Sequence, residues 1–118
     1  MTTIERVDKI RGHAFLPPDA NRIPNHDPKH DEAETDPQVW ISYFHPMSSA
    51  RWLVTEYDPD AGTFFGWVDL GHGFGMAEWG YMSVEELGTL VARGLPIERD
   101  CHFSRAPMSE VKARLGLQ

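Results

Sequence analysis

Three runs within residues 39–70 carry large apolar side chains at both odd and even positions, and this restricts the chain more than any other feature. Val39-Trp40-Ile41-Ser42-Tyr43-Phe44-His45, Arg51 to Tyr57 and Thr63 to Leu70 are rich in β-branched and aromatic residues and read as strands. Successive side chains of a strand point to opposite faces. Val39, Ile41 and Tyr43 therefore oppose Trp40 and Phe44, Trp52 and Val54 oppose Leu53 and Tyr57, and Phe64 and Val68 oppose Phe65 and Trp67. A sheet with one solvated face alternates apolar and polar residues instead. Both faces of this sheet need cover. Short helices supply it on one side, and the N-terminal segment or another molecule on the other.

The punctuation between these runs supports a meander. Asp58-Pro59-Asp60-Ala61-Gly62 is a turn in which Asp opens, Pro presets φ and Gly supplies a left-handed position, so residues 51–70 form a hairpin. Trp79 to Met82 adds a short strand, and Ile97 to Phe103 another. Ser83-Val84-Glu85-Glu86 has the spacing of a capping box. It opens a helix with Val84, Leu87, Leu90 and Val91 on one stripe, expected to end at Gly94. A last helix runs from about Pro107 to Leu115 and ends at Gly116. A first helix spans Ile4 to Phe15, with Ile4, Val7, Ile10 and Ala14 at helical spacing, and Pro17-Pro18 stops it.

Residues 17–38 differ in texture, with prolines at 17, 18, 24, 28 and 37 and four acids within Asp31–Asp36. So little apolar surface does not offset the entropy of ordering, and the segment reads as an extended or mobile arm. The expected architecture is α+β: an antiparallel β-meander of four to five strands with two or three short helices. An N-terminal helix and Pro/acid-rich arm occupy residues 1–38, and the α+β domain residues 39–118.

Charge and cysteine content narrow the function classes. The 118 residues carry a formal charge of −7, with eight acids against five bases in residues 1–38 and ten against six thereafter. Nucleic-acid affinity rests on Lys and Arg displacing counterions from phosphates. Three lysines and eight scattered arginines disfavour a nucleic-acid partner, and the acidic balance suits solubility or a basic protein partner. Cys101 is the single cysteine, so no internal disulfide forms, as suits a reducing compartment. The charged N-terminus lacks a secretory pattern, and no run approaches the roughly 18 apolar residues of a membrane span. The expected location is cytoplasmic, with no membrane partner.

Four ordered segments carry a resemblance: Trp52-Leu53-Val54-Thr55-Glu56-Tyr57-Asp58-Pro59, Phe65-Gly66-Trp67-Val68-Asp69-Leu70-Gly71 with Gly73-Phe74, Glu78-Trp79-Gly80-Tyr81-Met82-Ser83-Val84-Glu85-Glu86-Leu87, and Gly94-Leu95-Pro96-Ile97-Glu98-Arg99-Asp100 with His102-Phe103. Together they resemble the bacterial family known as domain of unknown function 2958, whose members are often encoded on plasmids and other mobile elements. The resemblance covers a little over half the chain and implies no established activity. Some members carry a label of single-stranded DNA endonuclease.

Candidate chemistry centres on Glu98-Arg99-Asp100-Cys101-His102. On a strand, Glu98, Asp100 and His102 project from one face, where they suit a divalent metal that activates water for hydrolysis, with Glu56 or Asp69 assisting. The competing reading makes them the solvated side of an edge strand, with Ile97, Cys101 and Phe103 packed inward and Arg99 paired to a carboxylate such as Glu56 or Asp69. Adjacent Cys101 and His102 point to opposite faces. A dyad would need His45 or His72, so an inert buried thiol is expected. His26 and His30 have metal-ligand spacing for a helix, but Pro28 between them opposes one. Gly71-His72-Gly73-Phe74-Gly75 lacks the following helix and the lysine of a phosphate loop, which leaves His72 as a candidate at a bend. No cofactor motif is present.

Two functions remain from the sequence. One is a non-enzymatic accessory or regulatory protein of a mobile element that binds a protein partner, basic or a second copy, through Trp40, Phe44, Phe65, Trp67 and Trp79. The other is a metal-dependent hydrolase or single-strand nuclease on Glu98, Asp100 and His102.

Overall fold

In the computed structural model, residues 1–25, 36–71 and 77–117 are described. Helix α1 (Thr3–Arg11) is followed by a 3-10 turn (Ala20–Arg22), then β1 (Gln38–Val39), β2 (Ile41–Phe44), β3 (Arg51–Asp58), β4 (Thr63–Asp69) and β5 (Glu78–Ser83). Helix α2 (Val84–Thr89), the short strands β6 (Val91–Ala92), β7 (Leu95–Pro96), β8 (Glu98–Arg99) and β9 (Ala106–Pro107), and helix α3 (Met108–Leu115) complete it. The central sheet has five antiparallel strands in the order β5-β4-β3-β2-β8. This is the expected α+β meander. No helix among the described residues is long and apolar enough to cross a membrane.

The β3–β4 hairpin closes as its turn chemistry demands. Asp58 Oδ1 accepts from the amides of Asp60 and Ala61, and Gly62 takes φ of 68°. The Ser83 cap is equally literal, with Oγ accepting from Glu86 N at 3.1 Å. The helix that follows is shorter than expected and ends at Thr89, not Gly94. Arg93 and Gly94 both have positive φ and form the two-residue turn of a β6–β7 hairpin. That turn pulls Leu90 and Val91 off the buried stripe, and each is 44% exposed.

Both sheet faces are covered, by separate cores. Ile41, Tyr43, Trp52, Val54 and Phe64 pack with Phe15, Ile23, Leu87 and Ile97 on one face. Val39, Leu53, Ala106, Met108 and Val111 form the second core, with Trp67, Phe103 and Leu115 against it. The C-terminal helix, not the N-terminal arm, is thus the lid on the second face. Two local events reassign side chains. The ladder breaks at Trp40, whose amide bonds Val54 O, so Val39 leaves the face of Ile41 for the second core while Trp40 packs against the first. A bulge between Val54 and Glu56 flips the parity. Tyr57 therefore joins Trp52 and Val54, 5.3 Å from Phe64.

The N-terminal residues take part in the first core. Phe15 is fully buried and stacks on Tyr43 at 4.4 Å, whose hydroxyl donates to Phe15 O. Helix α1 ends at Gly12, in the left-handed region, earlier than Phe15. Its inner face is Val7 and Arg11, and Ile10, expected on that stripe, is 63% exposed. Arg11 is buried and reaches Ile97 O and Gly88 O, each at 2.7 Å. Within residues 17–25 of the expected arm, Ala20 and Ile23 are buried.

Candidate functional site

The register of β4 against β5 builds an aromatic surface. Phe65 pairs with Tyr81 and Trp67 with Trp79, so all four rings stand on the face of the second core. Phe65 stacks on Trp79 with centroids 5.8 Å apart and meets Tyr81 edge-on at 4.9 Å. Trp67 meets Trp79 edge-on at 5.6 Å. Offset and edge contacts of this kind favour a fixed ring array.

Burial grades across the array. Phe65 is buried at its base, Trp67 is half-covered by the C-terminal segment, and Trp79 and Tyr81 are 38% and 68% exposed on the outermost strand. Lys112 of α3 sets its ammonium 3.3 Å from the Trp67 ring centroid and 6.0 Å from that of Trp79. Burial lowers the Lys112 pKa, and nearby Asp36 partly opposes the shift. The Trp67 indole Nε1 is buried without a hydrogen-bond acceptor among the described residues. Beside Tyr81 lies a small cavity lined by Asn25, Glu56, Asp58, Thr63, Phe64 and Phe65.

Of the five aromatic residues expected as anchors, three converge here: Phe65, Trp67 and Trp79. Trp40 lies apart, its ring under the Arg105 guanidinium at 4.9 Å. Arg105 also grips Asp19 with both Nη atoms, at 2.6 and 2.7 Å. That pairing holds the Asp19 carboxyl down at about 2. Phe44 lies two strands from β4, beneath Arg51 at 5.2 Å. Sequence reasoning missed Tyr81 and Lys112. Tyr81 was open to it, since it shares the parity of Trp79, whereas Lys112 arrives only through the docking of α3.

The acidic triplet is not assembled. Strand β8 ends at Arg99, well short of Phe103, because Asp100 Oδ1 accepts from His102 N at 3.0 Å and turns the chain. Glu98, Asp100 and His102 therefore do not share one strand face. Among the described residues no group of three or more His, Cys, Asp or Glu is placed to hold a metal. Arg99 donates from Nε to Ala14 O, and its amide to His13 Nε2. Cys101, expected inside, is exposed on that turn.

His45 is buried and structural. Its Nδ1 accepts from Met47 N, which leaves the proton on Nε2 to donate to Ala92 O and Leu95 O at 2.9 and 3.2 Å. The ring thereby pins the β6–β7 hairpin. His26, His30, His72 and most of the glycine-rich loop lie outside the described residues.

Fold and surface together define a small α+β protein with an aromatic array at an open sheet edge. The chain belongs to the protein family of unknown function DUF2958, which matches residues 18–114. No curated protein and no solved structure matches it.

Proposed function

We propose that this protein is a non-enzymatic binding protein that acts by contact with another protein through Phe65, Trp67, Trp79 and Tyr81. One observation carries the reading: two large aromatic residues stand exposed on the outermost strand, on top of two that anchor them. Interfaces concentrate their energy in such residues, particularly where rigid neighbours hold them. The acidic balance of the chain favours a basic partner over a nucleic acid. An accessory or regulatory role on a mobile element is the setting that the family resemblance suggests for such a contact. The hydrolase alternative loses its support with the dispersal of Glu98, Asp100 and His102.

The test is selection of random peptides displayed on phage against the full chain and against a Trp79→Ala/Tyr81→Ala variant with an unchanged melting midpoint. Enrichment on the wild type alone supports the reading. Equal enrichment on both proteins, or none on either, refutes it.

A further inference from the structure

The main chain of β5 offers more than the two rings that project from it. Val84 N bonds Gly62 O at 3.0 Å. Hydrogen-bonded and non-bonded pairs alternate along an antiparallel ladder. Counting back in the observed register, Met82, Gly80 and Glu78 exchange bonds with Phe64, Gly66 and Val68. Trp79 and Tyr81 have the opposite phase, so their N–H and C=O groups point away from β4. The two exposed aromatic residues thus hold outward main-chain donors and acceptors, in a phase that Ser83 at the end of the strand shares.

Natural edge strands are guarded by Lys, Pro or bulges. Glu78-Trp79-Gly80-Tyr81-Met82-Ser83 contains no Lys, Arg or Pro, and its pairing with β4 shows no register shift. On the face opposite the rings, a Cβ added to Gly80 would meet nothing within 4 Å, which leaves space for a partner's side chain. The charges at its two ends are acidic: Glu78 at the start, and Glu85 and Glu86, both exposed, at the opening of α2. Asp58 lies beside Tyr81 in the adjoining cavity.

We infer that β5 is a strand-addition site that takes an extended, basic segment of a partner protein as a sixth strand. The segment bonds the outward groups of Trp79 and Tyr81, lays apolar side chains on their rings, and sets Lys or Arg against the flanking acids. A second copy of this chain fits poorly, because self-pairing would bring two acidic edges together in proteins each of charge −7. The inference rests on the proposed function and specifies its geometry.

The probe is the most enriched peptide from the display selection, made synthetically and titrated against the full chain. Tyr81→Pro is the informative variant. Compared with Tyr81→Ala, which lacks the ring equally, it deletes one outward N–H and no bond to β4, as an edge position tolerates. Should the proline disturb folding, amide hydrogen exchange on the wild type gives an independent reading. The expected results are a Lys- or Arg-bearing peptide, roughly tenfold weaker binding to Tyr81→Pro than to Tyr81→Ala, and slowed exchange at the Trp79 and Tyr81 amides. Binding lost in Trp79→Ala/Tyr81→Ala but equal in Tyr81→Pro and Tyr81→Ala, without amide protection, overturns strand addition and leaves the proposed function standing. An acidic consensus, or a concentration-dependent dimer that Tyr81→Pro abolishes, overturns the basic partner.

Discussion

Replacing Arg11 with Met tests the account of the first core most directly. Arg11 lies at the last turn of α1 with its side chain fully buried. Its Nε and Nη2 donate to Ile97 O and Gly88 O, Nη1 engages Asp8, and the guanidinium stands 4.8 Å from the Phe15 ring centroid. One cation thus ties α1 to the C-terminal turn of α2 and to the chain just before β8, where helix dipoles also favour positive charge. Methionine keeps much of the apolar stem and strands two buried carbonyls and part of Asp8. A hydrogen bond to a charged donor is worth about 1.5–3 kcal/mol, and an unsatisfied buried acceptor costs a similar amount. Because the losses overlap, the expected sum is about 3–4 kcal/mol. Urea denaturation followed by fluorescence should show a lower midpoint at unchanged slope. Arg11→Lys should recover less than half, since an ammonium does not span the three acceptors. A loss below about 1 kcal/mol, or full recovery by Lys, would refute the clamp.

Gly66→Ala should destabilise by about 2–3 kcal/mol in the same assay, because its Cβ would collide with the Leu53 carbonyl oxygen and lie 2.9 Å from that carbonyl carbon; Gly80→Ala, its cross-strand partner, should change stability by less than about 1 kcal/mol. Burial, with Arg99 as the next cause, lowers the His13 pKa below 6.5. The unfolded chain therefore takes up this proton first, and stability present above 6.5 falls as pH drops through 6.5 towards the lowered value. Wild type should accordingly lose more stability than His13→Gln on going from neutral pH to about 5; parallel curves would contradict this. Cys101 should react with a thiol reagent in the native protein at nearly the rate seen in urea, and a native rate slower by more than about tenfold would contradict its exposure.

Much of the scaffold was legible because its signals are local. The Asp58–Gly62 turn, the Ser83 cap and the apolar runs of β3 and β4 each act within a few residues. The misreadings arise where tertiary geometry overrides a local pattern. Leu90 and Val91 continue a helical stripe, yet a left-handed pair at Arg93 and Gly94 turns them into a hairpin. No sequence signal marks Thr55 as the extra residue of the bulge. Its hydroxyl reaches Phe65 O, and its insertion exchanges the face of Tyr57. For the candidate site, parity placed Phe65 and Trp67 together and the register of β5 added Trp79, while the break at Trp40 removed that residue from their company. Arg11 was unreadable for another reason: nothing along α1 announces that its acceptors come from residues 88 and 97.

The plug formed by Phe15 lies outside the residues that the family match covers. The family match begins at residue 18, three positions after a ring with no exposed surface and seven after the cation that laces α1 to α2. A fragment cut at the start of the matched region would open a hole beside Tyr43 and remove the acceptor of its hydroxyl. The folded unit on this chain thus reaches further towards the N-terminus than the matched residues do.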